Sequence, residues 1–210
     1  MSPLKKDIIF YILGANFIAL GVILMIKSTL GTGPWDSFFV ALSRITPLTI
    51  GTSAIVALFV ITFMVVLARK NFRYLFIFAP IIVVGALIDF YDLIVFAAYE
   101  PQSLGRLWPF VYGILTVPLG GALLMQTRLP AGVFEEVMLL VMDWFKTEKM
   151  GRVRILMEMV PVVLALSITL SFFSDWGTLQ LGTLVYVLCA GPLIQFYHKQ
   201  LRRLSDESTD

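Results

Sequence analysis

Six long apolar runs divide the chain, and short polar segments separate them. A run of about 20 residues is long enough to cross a hydrocarbon core of about 30 Å as an α-helix. The pattern therefore predicts an all-α integral membrane protein with one membrane domain over residues 1–210 and a short cytoplasmic tail over residues 198–210. The six runs are Ile8–Ile26, Thr49–Leu67, Tyr74–Ala98, Leu107–Leu124, Val153–Phe173 and Thr178–Tyr197.

Two further segments, Pro34–Ser43 and Val133–Phe145, have a helical pattern but are too short to span. Each follows a loop that contains Gly and Pro, and a loop of about six residues reaches roughly 20 Å when extended. The short helices therefore either re-enter the membrane with their N-termini at its centre or lie flat at the interface. Trp35 and Trp144 are typical of the interfacial arrangement.

The two halves of the chain repeat one another in order, which predicts a duplication with repeats over residues 8–98 and 107–197. The matched positions are Gly21, Leu24 and Met25 with Gly121, Leu124 and Met125; Leu30, Gly33, Trp35 and Asp36 with Leu129, Gly132, Phe134 and Glu135; Gly51 with Gly151; and 85–91 with 191–197.

Charge then predicts the topology. If the short helices do not cross, each half has three spans and the halves have inverted orientations. With the N-terminus inside, that arrangement leaves only Lys27, Arg44 and Arg106 of the 16 Lys and Arg residues on the outer side. This strong positive-inside bias predicts that both termini are cytoplasmic.

Composition excludes several classes of function. Hydrophobic residues make up 59% of the chain and charged residues 14%, and a net charge of +2 without a basic face argues against nucleic-acid binding. One Cys and one His do not provide a usual zinc or iron–sulfur site, so no cofactor is expected. Motifs for a nucleophile elbow, phosphate loop, dinucleotide or metalloprotease site are absent from the sequence, which argues against an enzyme.

Acidic residues within or beside the apolar runs are the candidates for a solute or ion pathway, because charge is unfavourable in lipid. Asp36 and Asp89 are predicted to share one site in the outer half, where one carboxylate would raise the pKa of the other. The alternative is that Asp36 caps its own helix, Asp89 is neutralised by Lys27 or water, and Asp92 reaches the surface. The full candidate set is Gly33, Pro34, Trp35, Asp36, Asp89, Asp92, Gly132, Glu135, Glu136 and Glu158.

The loop Leu30-Gly31-Thr32-Gly33-Pro34-Trp35-Asp36, Gly51 at the start of the next span, and the late Gly191-Pro192-Leu193-Ile194 resemble the bacterial YczE/YitT-like membrane proteins. The resemblance covers nearly the whole chain and implies a multi-spanning protein of the bacterial inner membrane. The larger YitT-type members carry a soluble C-terminal domain, which this sequence lacks. The resemblance supplies no substrate.

Two functions follow as hypotheses. The first is a small-solute transporter, coupled to protons through its membrane acids, whose partners are the lipid bilayer, an unknown solute and a second copy in a homo-oligomer. The second is a non-transporting membrane partner or assembly factor for another enzyme, which the small size and glycine-rich helix faces favour. An intramembrane enzyme acting on lipid is the weakest reading, because no nucleophile–base pair can be identified.

Overall fold

The computed structural model describes residues 3–70, 78–127, 133–146 and 150–207, and its regular elements there are all helices. The α-helices are α1 Pro3–Ser28, α2 Pro34–Ile45, α3 Ile50–Arg69, α4 Phe78–Phe90, α5 Leu107–Leu124, α6 Val133–Phe145, α7 Met150–Phe173 and α8 Leu181–Glu207. A π-helical turn over Tyr91–Val95 continues α4, and a 3₁₀ turn over Ser103–Arg106 precedes α5.

Six helical segments are long and apolar enough to cross a membrane, which confirms the six predicted spans. They are Asp7–Ser28, Ile50–Arg69, Phe78–Val95, Ser103–Leu124, Ile155–Phe173 and Leu181–Arg203. The two short helices are also present, and α6 has the predicted bounds. Helix α8 continues beyond the last apolar run, to Glu207.

The chain forms two compact units. Unit 1 contains Met1–Gly33, Leu87–Leu129 and Gln180–Asp210, and unit 2 contains Pro34–Ala86 and Pro130–Leu179. Each unit takes segments from both halves of the sequence. Neither half therefore packs as a body of its own.

In unit 1, glycines bring α1 and α5 into backbone contact. A Cβ atom at Gly14 would lie 2.8 Å from the carbonyl oxygen of Gly120, and one at Gly113 would lie 2.6 Å from that of Gly21. Since position 14 meets position 120 and position 21 meets position 113, the two helices are antiparallel. Helix α8 packs on α5, and the Gly182 amide donates to the Leu30 carbonyl oxygen at 2.9 Å.

In unit 2, the short helices pack on the same two spans. Helix α2 contacts α3 and α7, and α6 contacts α7 and α3. The Thr49 hydroxyl accepts a bond from the Thr52 amide at 3.2 Å and so caps the first turn of α3. Buried Ile81 and Val133 form an apolar cluster, beside which Phe59 stacks on Phe78 at 4.0 Å between ring centroids.

Candidate functional site

The N-terminal residues of the two short helices meet inside unit 2. The rings of Trp35 and Phe134 lie 4.7 Å apart between centroids, with an angle of 39° between their planes. Trp35 is the second residue of α2, and Phe134 is the second residue of α6. These residues occupy matched positions in the two halves of the sequence, so the contact joins two equivalent points.

The other ends of the short helices are held by two ion pairs. Arg44, in the last turn of α2, pairs with Asp175, just beyond the C-terminus of α7. Asp143, near the end of α6, pairs with Arg69, the last residue of α3. Arg44 also precedes α3, and Asp143 precedes α7. The C-terminus of each span therefore lies at the same end of unit 2 as the N-terminus of the other, so α3 and α7 are antiparallel.

Helix lengths place the Trp35–Phe134 contact between these two ends. Trp35 to Arg44 covers about 14 Å of helix, and so does Phe134 to Asp143. Together they match the roughly 30 Å length of the 20-residue helix α3. The C-termini of the two short helices thus lie at opposite ends of unit 2, and their N-termini meet near its middle.

Polar side chains accompany the N-terminus of α2. Asp36 occupies its first turn, where a carboxylate is favoured by the helix dipole, and is half-buried. Ser37 follows it and is 2% exposed. Ser53, in the first turn of α3 and so toward the other end of α2, is fully buried. Neither serine hydroxyl has a hydrogen-bond partner among the described residues. A buried hydroxyl without a partner is unfavourable, so these two groups are available to a polar ligand or to water.

The Arg44–Asp175 pair is bidentate. Arg44 Nη1 donates to Asp175 Oδ1 at 2.9 Å, and Nη2 donates to Oδ2 at 2.7 Å. The guanidinium also lies 3.9 Å from the centre of the Phe173 ring, and the Gly177 amide donates to Asp175 Oδ1 at 2.9 Å. The bonds from Arg44 lower the pKa of Asp175, and the Gly177 amide acts in the same direction.

A second polar region lies in unit 1, where the third span ends. Lys27 at the end of α1 pairs with Asp92 at 2.9 Å, with both side chains mostly buried. The Tyr91 hydroxyl donates to Asn16 Oδ1 at 3.0 Å. The π-helical turn begins at Tyr91, and such turns often occur at functional positions.

A cavity of about 560 Å³ opens beside Lys27. Its lining combines charged residues, amide and hydroxyl groups, and one half-buried Tyr: Lys27, Thr29, Tyr99, Glu100, Gln102, Ser103 and Arg106 are among its members. Thr29 and Ser103 both have positive φ angles, of 58° and 48°. Such angles are uncommon for residues other than glycine.

The predicted site residues separate into several groups. Asp36 belongs to unit 2 and Asp89 to unit 1, so their shared site stays a prediction. Asp92 pairs with Lys27, and Glu158 is half-buried on α7. Gly33 and Pro34 are buried where α2 begins. Gly132 lies outside the described residues, and Glu135 and Glu136 lie on α6 with side chains outside the described part.

Several residues with structural roles were not among the candidates, and they include Asn16, Arg69, Asp143 and Asp175. One of them was detectable from the sequence. Asp143 lies 99 positions after Arg44 (143 − 44), the separation that also relates Trp35 to Phe134. Among the described residues, no group of three His, Cys, Asp or Glu side chains is arranged to hold a metal ion.

Comparison with known proteins identifies the family of this chain. Residues 5–199 match a family model described as a family of unknown function, DUF6198. The chain belongs to this family. It is also 27% identical over 190 residues to the uncharacterized protein YyaS of Bacillus subtilis (strain 168), and the match covers 90% of each chain.

No solved structure matches the chain significantly. The family match indicates a protein of an uncharacterised family, and the Bacillus relative indicates a bacterial origin. The narrower resemblance to YczE/YitT-like proteins is not confirmed by these matches and stays an expectation.

Proposed function

We propose that this DUF6198 protein is a small-solute membrane transporter built from two inverted repeats, in which α2 and α6 are re-entrant half-helices. The observation that carries the proposal is the Trp35–Phe134 contact between matched residues. Two helices lying flat on opposite membrane faces would keep their first turns roughly 30 Å apart. Half-helices that enter from opposite faces would bring them together.

The orientation of equivalent spans supports the inversion. The separation that relates Trp35 to Phe134 also relates Gly14 to Gly113 and Gly21 to Gly120, one position away from the sequence match of Gly21 with Gly121. The backbone contacts of Gly14 with Gly120 and of Gly21 with Gly113 are therefore equivalent under exchange of the halves. Antiparallel α1 and α5 in unit 1, and antiparallel α3 and α7 in unit 2, are the arrangement that inverted repeats produce.

The chemistry around α2 fits a small polar solute. Half-helix N-termini carry partial positive charge and point at the substrate region in transporters of this design. Asp36 adds one carboxylate there, and the Ser37 hydroxyl adds a buried hydrogen-bonding group. A carboxylate in a membrane pathway can exchange a proton, which supports proton coupling and requires no cofactor or enzymatic step.

Flux through proteoliposomes tests this function. The purified protein is reconstituted into vesicles that contain a pH indicator, and amino acids, organic acids, sugars and inorganic ions are added one class at a time. We expect one class to produce a signal that empty vesicles lack and that Asp36→Asn abolishes while the elution profile on size exclusion is unchanged. Absence of flux for every class, with correctly folded protein, would contradict transport.

A second candidate is a membrane partner or assembly factor, and one observation favours it. A Cβ atom at Gly191 of α8 would meet nothing within 4 Å, although small residues in membrane helices usually mark close helix packing. Leu184 and Leu188 on the same helix are 64% and 75% exposed. Crosslinking in native membranes through Gly191→Cys, in a Cys189→Ala background, would give a defined heteromeric band for this function.

A further inference from the structure

The two ion pairs of unit 2 join equivalent elements, but the short helix supplies the cation in one pair and the anion in the other. Arg44 and Asp143 occupy matched positions near the ends of the short helices, yet one is a cation and the other an anion. Their partners are reversed as well: Asp175 follows the end of α7, and Arg69 ends α3. Each pair therefore ties a short helix of one half to the second span of the other half.

The pairs lie at opposite ends of the unit. Helix α3 separates them, since Arg44 precedes its first turn and Arg69 is its last residue. With 20 residues, α3 is about 30 Å long, which is the thickness of a hydrocarbon core. One pair is thus positioned at each membrane face, and the buried N-terminal segment of α2 with Ser37 lies between them.

We propose that these pairs are two latches, each of which closes access to the middle of unit 2 from its own face. The inference rests on the inverted-repeat part of the proposed function. Both latches are closed in this structure. The side chains are partly exposed, with relative accessibilities of 32% and 46% for Arg44 and Asp175 and 27% and 58% for Arg69 and Asp143. Exposed ion pairs hold weakly, which suits a contact that breaks and reforms.

The latches differ in strength. Arg44 holds Asp175 through two bonds, lies over Phe173, and Asp175 also accepts the Gly177 amide. Arg69 contacts Asp143 through Nη1, and the Arg69 Nε is buried without a hydrogen-bond partner among the described residues. Bidentate geometry is the stronger form of an Arg–carboxylate pair. The Asp143 latch is therefore the one that opens more readily, and access from its face, the predicted inner side, is the more frequent state.

Thiol labelling measures this directly. The Ser37→Cys variant in a Cys189→Ala background places a thiol in the buried first part of α2, and a membrane-impermeant maleimide is applied to right-side-out and inside-out vesicles. Asp143→Asn should raise the labelling rate from the inner face by about fivefold and leave the outer rate unchanged. Asp175→Asn should raise the labelling rate from the outer face and leave the inner rate unchanged. In the parent protein, the labelling rate from the outer face should be the lower of the two.

Matched variants separate latching from general loosening. Exchange of the charges, Arg44→Asp with Asp175→Arg, should restore protection from the outer face. Lys70→Gln removes an exposed charge next to Arg69 that makes none of the ion pairs between described residues, and it should change neither rate.

If Asp143→Asn or Asp175→Asn raised the labelling rate equally from both faces, or from neither face, the latch proposal would be overturned. The result is independent of the flux measurement. Side-specific labelling without any flux would contradict transport but support the latches. Flux together with labelling rates that do not depend on the face would support transport but contradict the latches.

Discussion

Gly14 and Gly120 contact one another through their backbones. A Cβ atom at Gly120 would lie 2.5 Å from the carbonyl oxygen of Gly14, closer than real Cβ atoms approach any atom. The neighbour is backbone rather than a flexible side chain, so the α1–α5 pair would have to separate to accommodate it. Without a hydrophobic driving force between helices in lipid, such close packing is a main source of association.

We therefore expect Gly120→Ala to destabilise the protein by about 1–3 kcal/mol, the usual effect of overpacking. Thermal unfolding in detergent, followed by tryptophan fluorescence, measures the decrease in Tm. Gly191→Ala is the matched control, because it also places Ala in a membrane helix but meets open space. Equal Tm values for the two variants would show that the Gly14–Gly120 contact has no importance.

The Trp35–Phe134 contact predicts a crosslink. In a Cys189→Ala background, Trp35→Cys with Phe134→Cys should join rapidly through a short bifunctional thiol reagent. Trp35→Cys with Phe145→Cys is the control, since Phe145 lies eleven residues further along α6, about 16 Å of helix. Mass spectrometry of the digested protein identifies the linked peptides. A higher yield for the Phe145 pair would contradict the end-to-end arrangement of the short helices.

Much of the fold could be predicted from the sequence, because apolar length alone identifies membrane spans. The six spans follow from the six long apolar runs, and the bounds of α6 follow from the shorter run Val133–Phe145. The pairing of side chains could not be predicted in the same way. Lys27 was an expected partner for an acid, yet nothing in a linear pattern distinguishes Asp92 from Asp89 as that acid. Asp175 is in a loop, where hydropathy carries no information about what faces it.

The predicted topology places Lys70 and Ser103 on opposite faces. Both residues are exposed, so cysteines introduced there should react with an impermeant maleimide in intact cells only when they face outward. We expect Ser103→Cys to react and Lys70→Cys to react only after the membrane is opened. Reaction of Lys70→Cys in intact cells would contradict cytoplasmic termini and the inverted orientation of the halves.

The Arg44–Asp175 pair predicts a pH dependence of stability. Arg44 holds the pKa of Asp175 below the ordinary carboxyl value, so the pair stabilises the protein above that value. As pH falls through the lowered pKa, Asp175 gains a proton and the contribution is lost. The difference in Tm between the parent and Asp175→Asn should therefore stay constant from neutral pH to about pH 4 and shrink only below it. A difference that disappears near pH 6 would exclude this carboxylate as its source.

The Lys27–Asp92 pair should behave differently from the two pairs of unit 2, because its side chains are only 21% and 16% exposed. Removing one partner leaves the other charge in a poorly solvated position, which is more unfavourable than removing both. We expect Asp92→Asn and Lys27→Met each to lower Tm in detergent, and the double variant to recover part of the loss. The recovery defines the coupling between the two residues in a double-mutant cycle. Strictly additive losses would show that each side chain acts through other contacts, and the 2.9 Å distance would then carry no stabilising interaction.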